Sequence, residues 1–168
     1  MSLPVHEKRL AFVGWCVWMC RTWQDASGAL QRHWYIWGGD GPDVFDCSGF
    51  PLHGVHLLGA PDLTESYWCD RMWNGTAEAR GRDAWTRLRR HEVKPGDLCL
   101  YGRPEKATHV MVWMGDGSVV GPSGGTSETT SIEVARVRHH YVKRKPLVDY
   151  RNDFLGFVCF EPLEQLCT

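Results

Sequence analysis

YIWGGDGPDVFDCSGF, from Tyr35 to Phe50, is the stretch whose reading decides what this chain folds into. A loop rich in glycine and aspartate, Gly38 to Asp43, leads to Cys47, and a helical stretch follows to Leu58, stopped by Gly59 with Pro61 just beyond. A cysteine that opens a helix faces unpaired main-chain N–H groups and a partial positive charge, both of which favour thiolate over thiol. The same N–H groups can hold the oxyanion formed when sulfur attacks a carbonyl. With Ser48 as the cap, Pro51 takes the third helical position, where its missing N–H has no intrahelical partner anyway. Asp40, Asp43 and Asp46 act the other way, because nearby carboxylates raise a thiol's pKa. A nucleophilic Cys47 therefore needs a cationic imidazole beside it.

His109 is the candidate for that imidazole. It begins the strand-like run HVMVWM, whose alternation puts His109, Met111 and Trp113 on one face and Val110, Val112 and Met114 on the other. A histidine at a strand start beside a cysteine at a helix start is one way a Cys–His pair forms from distant sequence. The plainer reading is a small buried thiol and a surface or core histidine, the commoner fate of each residue taken singly.

Outward from these two residues the chain reads as one α+β domain over 1–168, with helices first and an antiparallel sheet second. Residues 5–34 read as helical with a break at Ser27-Gly28, and 62–91 as a second helical region broken at Asn74-Gly75. After Lys94-Pro95-Gly96-Asp97 the pattern turns to strands, at Leu98–Tyr101, His109–Met114, Ser118–Val120, Ile132–Val137 and Gly156–Phe160. Gly115-Asp116-Gly117 is the hairpin turn between two of them. The apolar run Leu10 to Cys20 is shorter than the ~20 residues a bilayer requires. Its two tryptophans and the absence of a small-residue cleavage site make it a first helix rather than a secretion signal.

Nineteen basic and 20 acidic residues leave a formal charge of −1, which gives no general attraction to nucleic acid or to anionic membranes. Seven cysteines cannot all pair within one chain, and a reducing compartment is expected. Cys16 and Cys20 lack a second ligand pair at zinc-site spacing, and neither metal nor cofactor is expected. Residues 134–146 carry five Lys/Arg, two His and no acid, the pattern of a solvated strand and turn, with a contact for phosphate-bearing cell-wall polymers or nucleic acid as the alternative; His139-His140 reads as surface. Trp15 and Trp18 are expected to pack inside, and Trp37 to line a groove beside Cys47.

Three segments together resemble the NlpC family of papain-like cysteine peptidases. Tyr35 to Phe50 is similar to that family's aromatic-x-Trp-Gly-Gly loop running into Asp-Cys-Ser-Gly. VKPGDLCLYG, Val93 to Gly102, is similar to its Pro-Gly-Asp-Leu strand start, and HVMVWMGDGSVVGPSGG, His109 to Gly125, to its histidine strand and following hairpin. The segment Tyr141 to Val158 resembles the close of family members encoded by bacteriophages. The likeness spans about 33–60, 93–125 and 141–158, and the motifs stand in family order.

The resemblance implies a papain-like fold with N-terminal helices on a central antiparallel sheet. It also implies an enzyme that cleaves stem peptides of bacterial peptidoglycan, commonly between D-glutamate and the next diamino acid. Such an enzyme would be made in the bacterial cytoplasm and act on the wall, with a phage tail or other secretion assembly as a candidate partner. Cys47 matches the nucleophile and His109 the base. Tyr35 matches the tyrosine near nucleophile and substrate carbonyl, while Asp46 and Ser48 match flanking residues that shape the loop and hold the substrate's amine. The family's third polar residue, which orients the imidazole, falls by spacing on Gly121, which has no side chain; Ser123 has the same strand parity. That departure keeps a catalytically weak wall-binding or tail-assembly module beside the peptidase, and because a fold does not fix its substrate, an amidase or acyltransferase using the same pair stays open as well.

Overall fold

The computed structural model describes residues 4–75, 83–146 and 148–168. Helix α1 covers Val5–Met19. Phe12, Cys16 and Met19, spaced four and three apart, are buried, whereas Leu10, Val17 and Trp18 face outward. Trp18 is thus not a core residue; it carries the Arg21 guanidinium 3.4 Å above its ring. Trp15 does pack inward, stacking on Phe50 with ring centres 4.7 Å apart.

The helix expected over 5–34 ends with α1. Asp25 accepts hydrogen bonds from the main-chain N–H groups of Ser27 and Ala29 and from the Ser27 hydroxyl, and Gly28 sits at φ +82°. This local turn, which an aspartate offers in competition with helix, joins strand β1 (Trp23–Gln24) to β2 (Leu30–Gln31). Strand β3 (Trp34–Tyr35) then runs parallel to β4 (Val44–Phe45), and β4 leads through Asp46-Cys47 into α2 (Gly49–His56).

Of the helical region expected over 62–91, the described residues contain α3 (Cys69–Asn74) and, instead of further helix, β5 (Arg87–Leu88); residues 76–82 lie outside them. Asp62 makes another such turn with Thr64, which holds the chain off helical geometry before α3.

The remaining elements are β6 (Leu98–Arg103), β7 (Lys106–Trp113), β8 (Val119–Ser123), α4 (Ile132–Arg138), β9 (Tyr141–Lys145), β10 (Phe154–Val158) and α5 (Glu161–Leu166). The strand expected at Ile132–Val137 is helix α4. Ser131 caps it by accepting from the Val134 N–H at 3.3 Å, Glu133 stands in its first turn, and His139 ends it in the left-handed region at φ 57°. The cap and first-turn acid outweigh the strand preference of Ile132, Val134 and Val137.

Among the described residues, eight strands form one sheet in the order β4-β3-β9-β8-β7-β6-β10-β5, antiparallel except between β3 and β4. Alternation along β7 separates two packed layers. Val110 and Val112 join Phe12, Phe50, Leu52 and Met72 under the helices, while Met111 and Trp113 join Cys99, Tyr101 and Phe157 on the other face. Burying a side chain of this size stabilises the fold by ~1.5–3 kcal/mol. Asp97 ties α1 to the loops before β6 and after β10. Its carboxylate accepts from the N–H of Lys94 at 2.8 Å, the N–H of Phe160 at 3.2 Å and the Arg9 guanidinium at 3.3 Å. The chain is therefore an α+β fold with its first helices laid on a curled, mainly antiparallel sheet. Among the described residues no helix is long and apolar enough to cross a membrane.

Candidate active site

Cys47 lies in the turn between β4 and α2, and Asp46 shapes that turn. One carboxylate oxygen accepts from the Ser48 N–H (2.9 Å), the Gly49 N–H (2.7 Å) and the Ser48 hydroxyl (3.0 Å), and the other from the Gly38 N–H (3.2 Å). The capping role expected of Ser48 is thus taken by Asp46, with the Ser48 hydroxyl as donor rather than acceptor. Helix α2 starts so close to the loop that a Cβ on Gly49 would stand 2.2 Å from the Gly39 carbonyl oxygen. Only glycine fits there. With Ser48 and Gly49 engaged, the Cys47 N–H is the donor of this turn that meets no protein acceptor among the described residues.

Cys47 and His109 come together although 62 positions separate them. Both are nearly buried, and they line one cleft of about 690 Å³ together with Tyr35, Trp37, Asp46 and Ser48. The six sequence-predicted residues with side chains around Cys47 are therefore gathered in one place. The Cys47 sulfur also lies 3.5 Å from that of Cys69, the first residue of α3. The Cys47 thiol is held well below its usual range. Its hydrogen bond with Cys69 contributes most, burial opposes, and the hydrogen bond and charge of His109 add to the lowering. Burial, together with the negative charge at Cys47, pushes the Asp46 carboxyl up, against the N–H groups that favour its ionised form.

Tyr35 is buried by the loop after β8. A Cβ on Gly125 would lie 1.9 Å from the Tyr35 ring, so glycine there lets the loop lie flat on the aromatic face. Burial raises the phenol strongly, and the charges of Cys47 and Asp46 reinforce this. Tyr35 accordingly keeps its proton and can donate. Trp37 stands at the cleft rim, 57% exposed.

The position of the third polar residue is instructive. Gly121 lies against Met111, whose sulfur would be 3.0 Å from an added Cβ. Carrying on the β7–β8 register from Val112↔Val120 places Ser123 opposite His109. Ser123 is buried but makes no well-formed bond to the imidazole. His109 Nε2 is buried without a hydrogen-bond partner among the described residues, and so is the hydroxyl of Tyr150, although Ser123 and Arg151 lie close enough to the phenol to act on its proton. Tyr101 packs against both rings, 5.8 Å from His109 and 5.5 Å from Tyr150.

Sequence reasoning did not find Trp68, Cys69, Asp70, Lys106, Thr108 or Arg151, all of which line the cleft. Asp70 fixes α3 to the histidine strand by accepting from the Ala107 N–H at 2.8 Å. Arg151 is held by Asp153 through two bonds of 2.8 and 2.7 Å. No spacing rule marks these residues. The seven cysteines are all unpaired. The basic stretch is divided between the end of α4 and β9, and His140 is engaged with the Thr129 hydroxyl at 3.0 Å.

The family model described as the NlpC/P60 family matches residues 32–151. Among curated proteins, the chain is 31% identical over 86 residues to a probable endopeptidase p60 of Listeria innocua, a match covering 51% of this chain and 16% of that protein. The corresponding Listeria monocytogenes protein is 30% identical over the same length, covering 51% and 15%. The chain thus matches about a sixth of the length of these relatives. Among solved structures, the NlpC/p60 domain of peptidoglycan hydrolase SagA superposes with a TM-score of 0.56 at 20% identity, covering 90% of this chain and 98% of that one. The P60 domain of an antigen from M. avium subspecies paratuberculosis gives a TM-score of 0.57 at 19% identity, covering 94% and 96%.

Proposed function

The chain belongs to the NlpC/P60 family, and from that premise we propose that residues 1–168 form one cysteine peptidase domain that hydrolyses stem peptides of bacterial peptidoglycan. The observation that carries the proposal is the pairing of Cys47 and His109 in one cleft, with the Cys47 thiol favoured as thiolate. The Cys47 sulfur attacks the scissile carbonyl, and the Cys47 N–H and the Tyr35 hydroxyl receive the oxyanion. His109 passes its proton to the departing amine as the C–N bond breaks, leaving a thioester on Cys47. Water, losing a proton to His109, then attacks the thioester, releasing the acid and restoring the Cys47 thiolate and the protonated His109. Asp46 and Ser48 shape the nucleophile loop beside the substrate's amine, and Trp37 offers a rim surface on which a peptide or sugar can lie. The bond assigned is that between D-glutamate and the following diamino acid.

The test is digestion of defined peptidoglycans with fragments identified by mass. Wild type should release stem-peptide fragments ending in D-glutamate, and Cys47→Ala should release none. Absence of fragments from several wall chemotypes, or unchanged release by Cys47→Ala, overturns the reading. One observation favours a second reading, a wall-binding module of low activity: the unpartnered Nε2 of His109 leaves the imidazole without an orienting group. Tight peptidoglycan binding together with a Cys47 unreactive towards a mild alkylating agent at neutral pH would favour that module.

A further inference from the structure

The contact between Cys47 and Cys69 asks more of the site than the Cys–His reading supplies. Both side chains are buried, their sulfurs are 3.5 Å apart, and either could donate to the other. Two thiolates at this distance in a buried site repel strongly, so the pair holds one proton over the pH range where the enzyme would work. The surroundings decide which sulfur keeps it. Cys47 meets His109 and the main-chain N–H of Val110, whereas Cys69 has Asp46 and Cys47 as its negative neighbours and Asp70 next in the chain.

We propose that Cys69 is a positioning residue of the catalytic pair, whose thiol donates its proton to the Cys47 sulfur and so keeps the nucleophile ionised and aimed. The inference rests on Cys47 being the nucleophile and goes beyond it by assigning a second thiol a task. Three observations support it. The Cys69 thiol is raised well above its usual range, through its bond to Cys47 first and burial second, as expected of the sulfur that retains the proton. Asp70 anchors α3 to the histidine strand at Ala107, so the helix that carries Cys69 is fixed relative to His109. Asp46, obligatory for the loop, places a carboxylate beside the nucleophile, and a second donor offsets that repulsion.

The measurement is the pH dependence of Cys47 alkylation, resolved by mass spectrometry, in wild type, Cys69→Ala and Cys69→Ser. Hydrogen bonds to a charged group are strong enough that losing one should move the acidic limb of the Cys47 rate upward by about one pH unit or more. Cys69→Ser, nearly isosteric and still a donor, should restore most of the shift. The acidic limb of kcat/KM on peptidoglycan should move in parallel, with KM little changed. In wild type, Cys69 itself should stay unmodified at pH values where Cys47 reacts fully. Coincident limbs in wild type and Cys69→Ala overturn the proposal, and so does modification of Cys69 ahead of Cys47 in wild type. The second criterion needs no variant to fold. Full hydrolysis by Cys47→Ala would instead remove the nucleophile assignment while leaving the alkylation limbs measurable.

Discussion

The two sides of the cleft are built to opposite degrees of completeness. On the Cys47 side, Asp46 accepts four hydrogen bonds, Gly49 admits the helix to the loop at a distance no other residue allows, and Cys47 is surrounded by Cys69, His109 and the Val110 N–H. On the His109 side, the imidazole Nε2 and the Tyr150 hydroxyl are buried beside Tyr101 without a well-formed hydrogen bond among the described residues, and Gly121 presents nothing where an orienting side chain is expected. The difference teaches where this chain invests in order. A missing orienting group weakens catalysis without abolishing it, because the nucleophile and the oxyanion donors contribute separately.

The strongest test of that contrast is His109→Ala. Loss of the base should lower kcat by ~10²–10⁴ in a peptidoglycan assay, the range for a general acid–base. A loss under threefold would mean that the base side is irrelevant rather than merely loose. Tyr35→Phe removes one oxyanion donor from the complete side and should reduce kcat by ~10²-fold with KM nearly unchanged. An effect confined to KM would place the phenol on the ground state.

Asp46→Ala should cost ~2 kcal/mol by urea unfolding, since cap and loop donors lose their acceptor together. Asp46→Asn should cost less and in a pH-dependent way. Because the folded-state carboxyl is raised, Asp46 contributes most to stability below its ordinary value of 3.8 and loses that contribution as pH rises through the higher folded value. The gap between wild type and Asp46→Asn should therefore narrow on going from acid to neutral pH; a gap that widens contradicts the burial argument.

On the incomplete side, Gly121→Asn should raise kcat by about tenfold, or ~1.4 kcal/mol, once Met111 shifts to admit the side chain. No rise at retained stability would show that His109 needs no orienting group. Tyr150→Phe, which deletes a buried hydroxyl without a well-formed hydrogen bond among the described residues, should alter stability by less than ~0.5 kcal/mol, and chemical unfolding reads this directly.

The nucleophile side was legible in the sequence because its geometry is local: a glycine-aspartate loop, an acid, a cysteine and a helix start lie within sixteen consecutive residues. His109 was legible through strand alternation and its place in an ordered set of motifs. Cys69 was not, because its approach to Cys47 depends on α3 being anchored to β7 through Asp70 and Ala107, a contact that leaves no spacing pattern. The errors in secondary structure share one cause. At Asp25, Asp62 and Ser131 a short polar side chain bonds to main-chain N–H groups nearby and decides the local conformation against the apolar periodicity around it.

The cleft is lined from Tyr35, Cys47, Cys69, His109, Gly125 and Arg151, residues spread over more than a hundred positions of chain. Contacts of such separation form late, after the loops between them have closed, so α1 and the β6–β7 hairpin can be native before any cleft exists. On the proposed peptidase reading, hydrolysis is then a stringent reporter of complete folding. In a refolding experiment, circular dichroism should recover first and activity last, and the interval between them measures how long the catalytic pair waits for its surroundings.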